Sequence, residues 1–206
     1  MIDLWQIERE LRSEYPLIAG VDEAGRGPLA GPVVAGAVIL PEGVGEGGLT
    51  LQGLDDSKKL TESQRERLFD EICGVAVYYG IGLATVEEID AFNILNATYL
   101  AMNRAIGALT VVPTLCLIDG NRATGINYVN QCVVGGDGRS ALIAAASILA
   151  KVWRDRLMLE LDEAYPQYGF ARHKGYPTKA HYAALDAQGP SVVHRRSFLK
   201  KWEGSR

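Results

Sequence analysis

Cysteine and histidine are scarce in this sequence, which narrows the chemistry that it can carry. Only three cysteines and three histidines occur among the 206 residues. No two cysteines have the CxxC spacing, so we expect three reduced, mostly buried thiols rather than a disulfide framework or a zinc site. The three histidines all lie after residue 172, too few and too late in the chain to suggest a zinc site.

Long apolar runs and the signatures of several enzyme classes are also missing. Gly, Asp or Arg interrupts each apolar run well before the roughly 18 residues that a membrane span needs. The opening MIDLWQIERE lacks the basic-then-apolar pattern of a signal peptide, so we expect a cytoplasmic protein with no membrane partner. The chain has no HExxH or GxSxG motif, and its GRGPLAG run lacks the spacing of a P-loop or a dinucleotide fingerprint.

Charge is distributed unevenly along the chain. The net charge is −4, but residues 1–171 hold 13 basic and 23 acidic residues, a net of −10, while residues 172–206 hold eight and two, a net of +6. Such asymmetry indicates either a polyanion-binding surface or an ordinary solvated basic face. The hydrophobic share of 48% and the charged share of 22% are those of a globular domain.

The pattern of apolar residues predicts a mixed α/β sheet with helices on its faces. Two strands over 17–23 and 32–40 are joined by a glycine-proline turn, and further strands are expected over 75–84, 114–120 and 126–134. Capping boxes at Thr61 and Thr85 predict helices to about Cys73 and Gly107, and helical spacing predicts others over 140–164 and near 178–188. We expect a loop over 41–48 and a single domain, with a core over about 17–165 and a basic C-terminal portion over about 166–206.

Four acidic residues stand where a buried or glycine-lined position is expected. Asp22 and Glu23 end one apolar strand, Asp119 ends another, and Asp137 lies between glycines before the long helix. Carboxylates at strand ends converge at one edge of a sheet, where they repel each other unless cations lie between them. Hard cations such as Mg²⁺ take oxygen ligands, and two of them about 4 Å apart can promote phosphodiester hydrolysis.

Each of these acids also has a purely structural interpretation. A single Asp at a strand end or helix cap is commonplace, although the adjacent pair Asp22–Glu23 inside an apolar run is not. Asp155 competes with Asp137 as the fourth acid, but Lys151 lies one helical turn before it and predicts an ordinary ion pair. We therefore take Asp137 as the ligand and Asp155 as structural.

Five motifs make the sequence resemble the bacterial ribonuclease HII family, the type 2 ribonucleases H. They occur in the family's order and are VDEAGRGPLAGPVVAGAVIL, DDSKKLT, LIDGN, AAASILAKVWRDRLM and YGFARHKGYPTKAH with HRRSF. The resemblance implies a ribonuclease H-like fold with a helical C-terminal portion. It implies an endonuclease that cleaves RNA in RNA–DNA hybrids and incises on the 5′ side of a single ribonucleotide in duplex DNA, leaving 3′-hydroxyl and 5′-phosphate ends.

The resemblance also implies the site. The family's metal ligands match Asp22, Glu23 and Asp119, with Asp137 as the fourth carboxylate, and the cofactor would be two Mn²⁺ or Mg²⁺ ions with substrate bound. Substrate contacts match the segment Gly25, Arg26 and Gly27, and the loop residue Tyr176. Candidate phosphate contacts are Lys58, its neighbour Lys59, and Lys174, and candidate supporting residues are Ser147 and Lys151.

Less specific interpretations of these residues stay open. The glycines can simply serve a turn, Tyr176 can anchor a loop, and single lysines are usually solvent-exposed. Another two-metal nuclease or strand transferase on the same fold, a non-catalytic hybrid-binding module and a metabolic α/β enzyme are the rival functions. We expect the acidic residues 1–171 to hold the cations and the basic residues 172–206 to bind the phosphate backbone of the nucleic acid. A sliding clamp is a further partner for which no motif argues, and a monomer is the default.

Overall fold

A mixed five-stranded sheet organises the chain. The computed structural model describes residues 3–42 and 51–203. Its strands are β1 (Ile18–Ala24), β2 (Val33–Ile39), β3 (Tyr78–Ala84), β4 (Leu115–Asp119) and β5 (Asn130–Val133). They lie in the order β3-β2-β1-β4-β5, with β1 antiparallel to β2 and parallel to β4. The predicted mixed sheet is therefore confirmed.

Helices cover both faces of this sheet. They are α1 (Gln6–Leu11), α2 (Glu62–Val75), α3 (Val86–Gly107), α4 (Ala141–Ala164), α5 (Phe170–His173), α6 (Lys179–Gln188) and α7 (Arg196–Glu203). Thr61 and Thr85 form complete capping boxes at the starts of α2 and α3, as predicted. Helix α3 packs on one face of the sheet, and α2 and α4 pack on the other. None of the helices in the described ranges is both long and apolar enough to span a membrane.

Glycines let α4 lie directly on the two central strands. A Cβ atom at Gly20 would stand 2.2 Å from the backbone of Leu142, and one at Gly36 would stand 2.5 Å from the Ala146 carbonyl oxygen. No side chain fits in these gaps, so helix and sheet are in backbone contact. Residues on this face of β1 therefore lie close to α4.

The C-terminal portion packs against the turn between β1 and β2. A third apolar cluster is formed by Leu29, Ala30, Met158, Tyr168, Phe170, Leu185 and Leu199. Backbone hydrogen bonds join the two segments, because Leu29 N–H donates to Gly175 O (2.8 Å) and Gly31 N–H donates to Val193 O (2.9 Å). The turn and the C-terminal helices thus form one packed unit.

The structure differs from the predicted elements at several points. Strand β5 begins four residues later than expected, because β4 offers only Cys116–Asp119 for pairing. Asn93 interrupts α3 with φ 67°, and its side chain accepts from the N–H groups of Leu95 (3.0 Å) and Asn96 (3.1 Å), which restarts the helix. The expected loop between α4 and α6 contains the short helix α5. Most of the predicted loop over 41–48 lies outside the described residues.

Candidate active site

A cleft of about 390 Å³ opens where β1 and β4 end. Val21 pairs with Ile118 in the parallel register, so Asp22 and Asp119 follow side by side at the carboxyl edge of the sheet. Ligands of open α/β sheets bind at such edges. The cleft is lined by Asp22, Glu23, Ala24, Gly25, Arg26, Gly27, Ser57, Lys58, Arg65, Asp119, Ser147, Lys151 and Tyr176.

Asp22 is the most buried acid in the cleft. Its side chain lies on the α4 face of β1, is 4% exposed and receives a hydrogen bond from Ser147. Burial raises the pKa of Asp22 well above its usual range, and repulsion from Glu23 and Asp119 raises it further. The charged form of Asp22 is therefore costly in this environment.

Two serines connect Asp22 to the loop before α2. Ser57 Oγ lies 2.9 Å from Ser147 Oγ, and both residues are buried. Because the Ser147 hydroxyl donates to Asp22, its oxygen is left to accept the Ser57 proton. The arrangement orients the Asp22 carboxylate from behind. Ser147 is a predicted supporting residue, whereas sequence reasoning missed Ser57 beside Lys58.

Glu23 and Asp119 complete the acidic wall. Burial raises the pKa of Glu23, while the charge of Arg26, whose guanidinium lies 3.2 Å away, lowers it. Burial also raises the pKa of Asp119, although its carboxylate accepts a hydrogen bond from Gly136 N–H (2.7 Å). Glu23 lines the same cleft as Asp22, although the two are adjacent residues of β1.

Asp137 is near the other acids but does not line the cleft. It is 6% exposed, in a single 3-10 turn over Gly136–Gly138, and its carboxylate accepts from Lys58 Nζ at 2.7 Å. This hydrogen bond raises the pKa of Lys58. Across residues 3–42 and 51–203, no three Asp, Glu, His or Cys side chains are gathered closely enough to enclose a metal ion. Basic side chains instead engage Glu23 and Asp137 one by one.

The alternative fourth acid has the structural role predicted for it. Asp155 accepts from Lys151 Nζ at 2.6 and 2.7 Å, one turn apart on α4, which confirms the predicted ion pair. Lys151 itself lines the cleft, and burial lowers the pKa of its ammonium group. Asp155 does not line the cleft itself, but it holds the ammonium group of Lys151, which does.

Two buried arginines hold the glycine-rich run that borders the acids. Arg195 is 0% exposed and donates to the carbonyl oxygens of Gly25 (2.6 Å), Arg26 (3.0 Å) and Gly31 (2.9 Å). Burial lowers the pKa of Arg195 to about 9. Sequence reasoning placed this arginine only within a basic segment, and the doublet in HRRSF was the available signal.

Arg154 occupies the neighbouring position on α4. It donates to the carbonyl oxygens of Ala30 (3.1 Å), Pro32 (3.1 Å) and Lys174 (3.0 Å). Its side chain fills the space beside Gly25, where an added Cβ would stand 2.0 Å from Arg154 Nε. Gly25 also has φ +94°, a conformation that favours glycine. The Gly25–Arg26–Gly27 segment therefore has a shape fixed by buried side chains.

The predicted substrate residues are divided between the cleft and its surroundings. Tyr176 lines the cleft, is 42% exposed and lies beside Gly27, where an added Cβ would stand 3.6 Å from its ring. Lys174 does not line it, because its ammonium donates to Ala171 O at 2.8 Å. Lys59 pairs with Asp55 at 2.9 Å, also outside the cleft lining.

Comparison with known proteins assigns the fold to a class and the chain to a family. The ribonuclease H2 of Pyrococcus horikoshii OT3 matches with a TM-score of 0.71 at 30% identity, over 87% of this chain and 92% of that one. A chain in the PCNA:RNase HII complex from Archaeoglobus fulgidus matches with a TM-score of 0.67 at 26% identity, over 87% and 94%. The fold is therefore that of the ribonucleases H.

The family follows from the sequence. The ribonuclease HII model matches residues 19–201. The ribonuclease HII of Acetivibrio thermocellus is 54% identical over 188 residues, which covers 91% of this chain and 72% of that protein. The chain belongs to the ribonuclease HII family, and it is a ribonuclease H, an endonuclease of the hydrolase class that acts on RNA–DNA hybrids.

Proposed function

We propose that this protein both cleaves the RNA strand of RNA–DNA hybrids and incises duplex DNA on the 5′ side of a single ribonucleotide. The products are 3′-hydroxyl and 5′-phosphate ends. One observation carries the proposal: a single cleft holds the acids Asp22, Glu23 and Asp119 beside a rigid glycine run and an exposed tyrosine. A hybrid-binding module has no need of buried acids that face a phosphate backbone, which disfavours that rival.

The donor chemistry of the acidic residues suits the two divalent cations of the proposal. Asp22, Glu23, Asp119 and Asp137 offer only oxygen donors, the ligands that Mg²⁺ and Mn²⁺ prefer. Burial, and then repulsion from Glu23 and Asp119, raises the pKa of Asp22, and a bound cation would offset both effects. Such ions, when bound, supply an activated water and stabilisation of the leaving 3′ oxygen.

Basic residues at the cleft would change partners when substrate arrives. Lys58 is held by Asp137 and Arg26 by Glu23, and both basic side chains line the cleft. A cation that took over these carboxylates would free the two side chains for substrate phosphates. Phosphate contacts of this kind fix the position of a duplex without reading its sequence. The proposal therefore gives Lys58 and Arg26 a positioning task.

Recognition of the ribonucleotide falls to the opposite side of the cleft. A 2′-hydroxyl both donates and accepts hydrogen bonds, and it distinguishes RNA from DNA. The fixed backbone at Gly25–Arg26–Gly27 lets a sugar approach closely, since Gly27 carries no side chain. The Tyr176 ring, which lies next to Gly27, is available to stack on the sugar.

An incision assay tests this function. The substrate is an end-labelled DNA duplex with one ribonucleotide, incubated with Mg²⁺, with Mn²⁺ or with EDTA. We expect metal-dependent cutting immediately 5′ of the ribonucleotide, reduced more than about 100-fold by Asp22→Asn, since even outer partners of a metal cost up to that factor. Asp70→Asn, on the exposed face of α2, is the matched control.

The same variant has an expected effect on stability. Asp22→Asn should raise the free energy of unfolding in urea without metal, because it removes a buried charge that repels Glu23 and Asp119.

A parent protein that cuts hybrids but leaves the single ribonucleotide intact would overturn the proposed incision at a single ribonucleotide. Asp137→Asn and Asp155→Asn decide the fourth acid, because only the former should abolish cutting.

Partners, location and assembly stay predictions. The clamp complex is described for the Archaeoglobus fulgidus protein. In this chain Leu199 of α7 is fully buried and Phe198 packs against the core, so this part of α7 is committed to the fold. We propose a cytoplasmic monomer with nucleic acid as its main partner, organised as one domain.

A further inference from the structure

All three histidines of the chain are packed into one cluster that contacts the backbone of Tyr176, with His173 half-buried and the other two buried. The rings of His173 and His181 stack with centroids 4.4 Å apart, and His181 Nε2 lies 3.0 Å from His194 Nε2. His181 is 0% exposed and His194 is 1% exposed. Nothing in the proposed chemistry uses them, so their arrangement needs a reason of its own.

Hydrogen bonding fixes which nitrogen of each ring carries the proton. His181 Nδ1 lies 3.0 Å from the Tyr176 carbonyl oxygen, which only accepts, so this nitrogen is protonated. The Ser191 backbone N–H donates to His194 Nδ1 at 3.0 Å, so that nitrogen is bare. With both rings neutral, His194 Nε2 must donate to His181 Nε2.

The result is a hydrogen-bond chain with one direction. It runs from the Ser191 N–H through His194 and His181 to the Tyr176 carbonyl oxygen. The Ser191 hydroxyl, 2.8 Å from His194 Nδ1, donates to it as well. Protonation of His194 at Nδ1 would place a hydrogen against the Ser191 backbone N–H, and protonation of His181 at Nε2 would place two hydrogens against each other between the rings. Only the doubly neutral state satisfies every contact.

The chain ends on a backbone segment that needs support. Lys174 has φ 48° and Gly175 has φ +81°, so the two residues before Tyr176 are both left-handed. A non-glycine residue in this conformation is strained and persists only where its surroundings hold it. The carbonyl of Tyr176, which accepts from His181, anchors the segment at its exit.

We propose that His181 and His194 are positioning residues for Tyr176. They hold the tyrosine backbone so that its ring stands beside Gly27 in the cleft. His194 touches no cleft residue and acts only through His181. This inference rests on the proposed role of Tyr176 at the RNA–DNA junction. It adds His181 of α6 and His194, which precedes α7, to the residues that support recognition of the ribonucleotide.

The tautomers give a direct spectroscopic test. His173 Nδ1 accepts a hydrogen bond from Gly175 N–H (3.2 Å). Nε2 of the same ring lies 2.9 Å from the Tyr168 carbonyl oxygen, which only accepts, so the proton of His173 is on Nε2. A long-range ¹H–¹⁵N spectrum of histidine-labelled full-length protein at pH 7 should show two rings protonated at Nε2 and one, His181, at Nδ1. A charged His181 or His194, or one tautomer for all three rings, would overturn the chain.

Kinetics test the function of the chain. His194→Phe keeps a ring but cannot donate, and we expect about a tenfold loss of kcat/KM on the single-ribonucleotide duplex, equivalent to one hydrogen bond. His194→Gln retains a donor and should restore most of it. In a Tyr176→Ala background, His194→Phe should have no further effect, because its action is routed through Tyr176.

A control separates positioning from general destabilisation. Leu199→Ala creates a cavity in the third apolar cluster, whose Phe170 packs against His181 and His194, without removing a hydrogen bond of the chain. It should lower stability while kcat/KM stays near that of the parent. An equal loss in Leu199→Ala, or an equal loss with and without Tyr176, would overturn the positioning role. No incision by the parent protein would instead overturn the proposed function itself.

Discussion

Arg195→Lys is the substitution for which the structure makes the sharpest stability prediction. Arg195 is fully buried, and its guanidinium is held by three backbone carbonyl oxygens rather than by a carboxylate. The Phe198 ring lies 5.2 Å from its Cζ atom. A lysine preserves the charge but replaces the planar fork with a compact ammonium group.

The magnitude follows from the bonds that a lysine cannot make. Hydrogen bonds to a charged donor contribute about 1.5 to 3 kcal/mol each, and a lysine reaches at most one of the three carbonyl oxygens. Two lost bonds correspond to about 3 to 6 kcal/mol of unfolding free energy. For a chain of this length that lowers Tm by roughly 10 °C. A domain stability of about 10 kcal/mol, the middle of the usual range, leaves the variant folded at 25 °C.

The next residue provides the matched control. Arg196 is exposed, and Arg196→Lys should change stability by less than about 0.5 kcal/mol. Urea unfolding followed by far-UV circular dichroism compares the two variants. Incision of the single-ribonucleotide duplex at 25 °C should fall in Arg195→Lys alone, because Gly25 and Arg26 lose their support. Equal unfolding midpoints for the two variants would refute the reasoning.

Two further predictions concern stability. Burial lowers the pKa of His194 from 6.5 in the unfolded chain to about 4 in the folded protein. The unfolded chain therefore binds the proton first as the pH falls, and stability that is present above pH 6.5 is lost below it. The free energy of unfolding in urea of the parent, relative to that of His194→Phe, should fall by about 1 kcal/mol between pH 6 and pH 5. A difference that does not change with pH would contradict this. Gly20→Ala should cost about 3 kcal/mol or more, since its Cβ would stand 2.2 Å from the Leu142 backbone. Gly74→Ala, with no atom within 4 Å, should instead gain about 0.5 to 1 kcal/mol, and similar urea midpoints for both would contradict the close packing.

Local signals in the sequence predicted much of the fold because they depend on nearby residues. The capping boxes at Thr61 and Thr85 involve residues three positions apart, and both form. The acids at the ends of β1 and β4 were expected at one sheet edge, and the parallel pairing of those strands puts them there. Asn93 escaped notice because its cap lies inside an otherwise helical pattern.

Contacts between distant segments were beyond such reasoning. Ser57 and Ser147 are 90 positions apart, and Arg195 and Gly25 are 170 apart. No periodicity links them, since they meet only after the C-terminal helices pack on the turn between β1 and β2. Residues that orient the acids and the glycine run, such as Ser57 and Arg195, are therefore the ones that sequence patterns do not predict.

The basic C-terminal portion shows that a charge count does not reveal where each charge lies. Its net charge of +6 suggested a surface for the phosphate backbone. Yet Arg195 is buried among carbonyl oxygens, and the ammonium of Lys174 donates to Ala171 O. Arg196 also donates to Pro190 O (3.3 Å), so at least three of the eight positive charges are bonded within the protein. A buried guanidinium that holds Gly25 and Arg26 contributes to nucleic-acid recognition through the shape of the loop, so its loss should alter junction preference more than the salt dependence of binding.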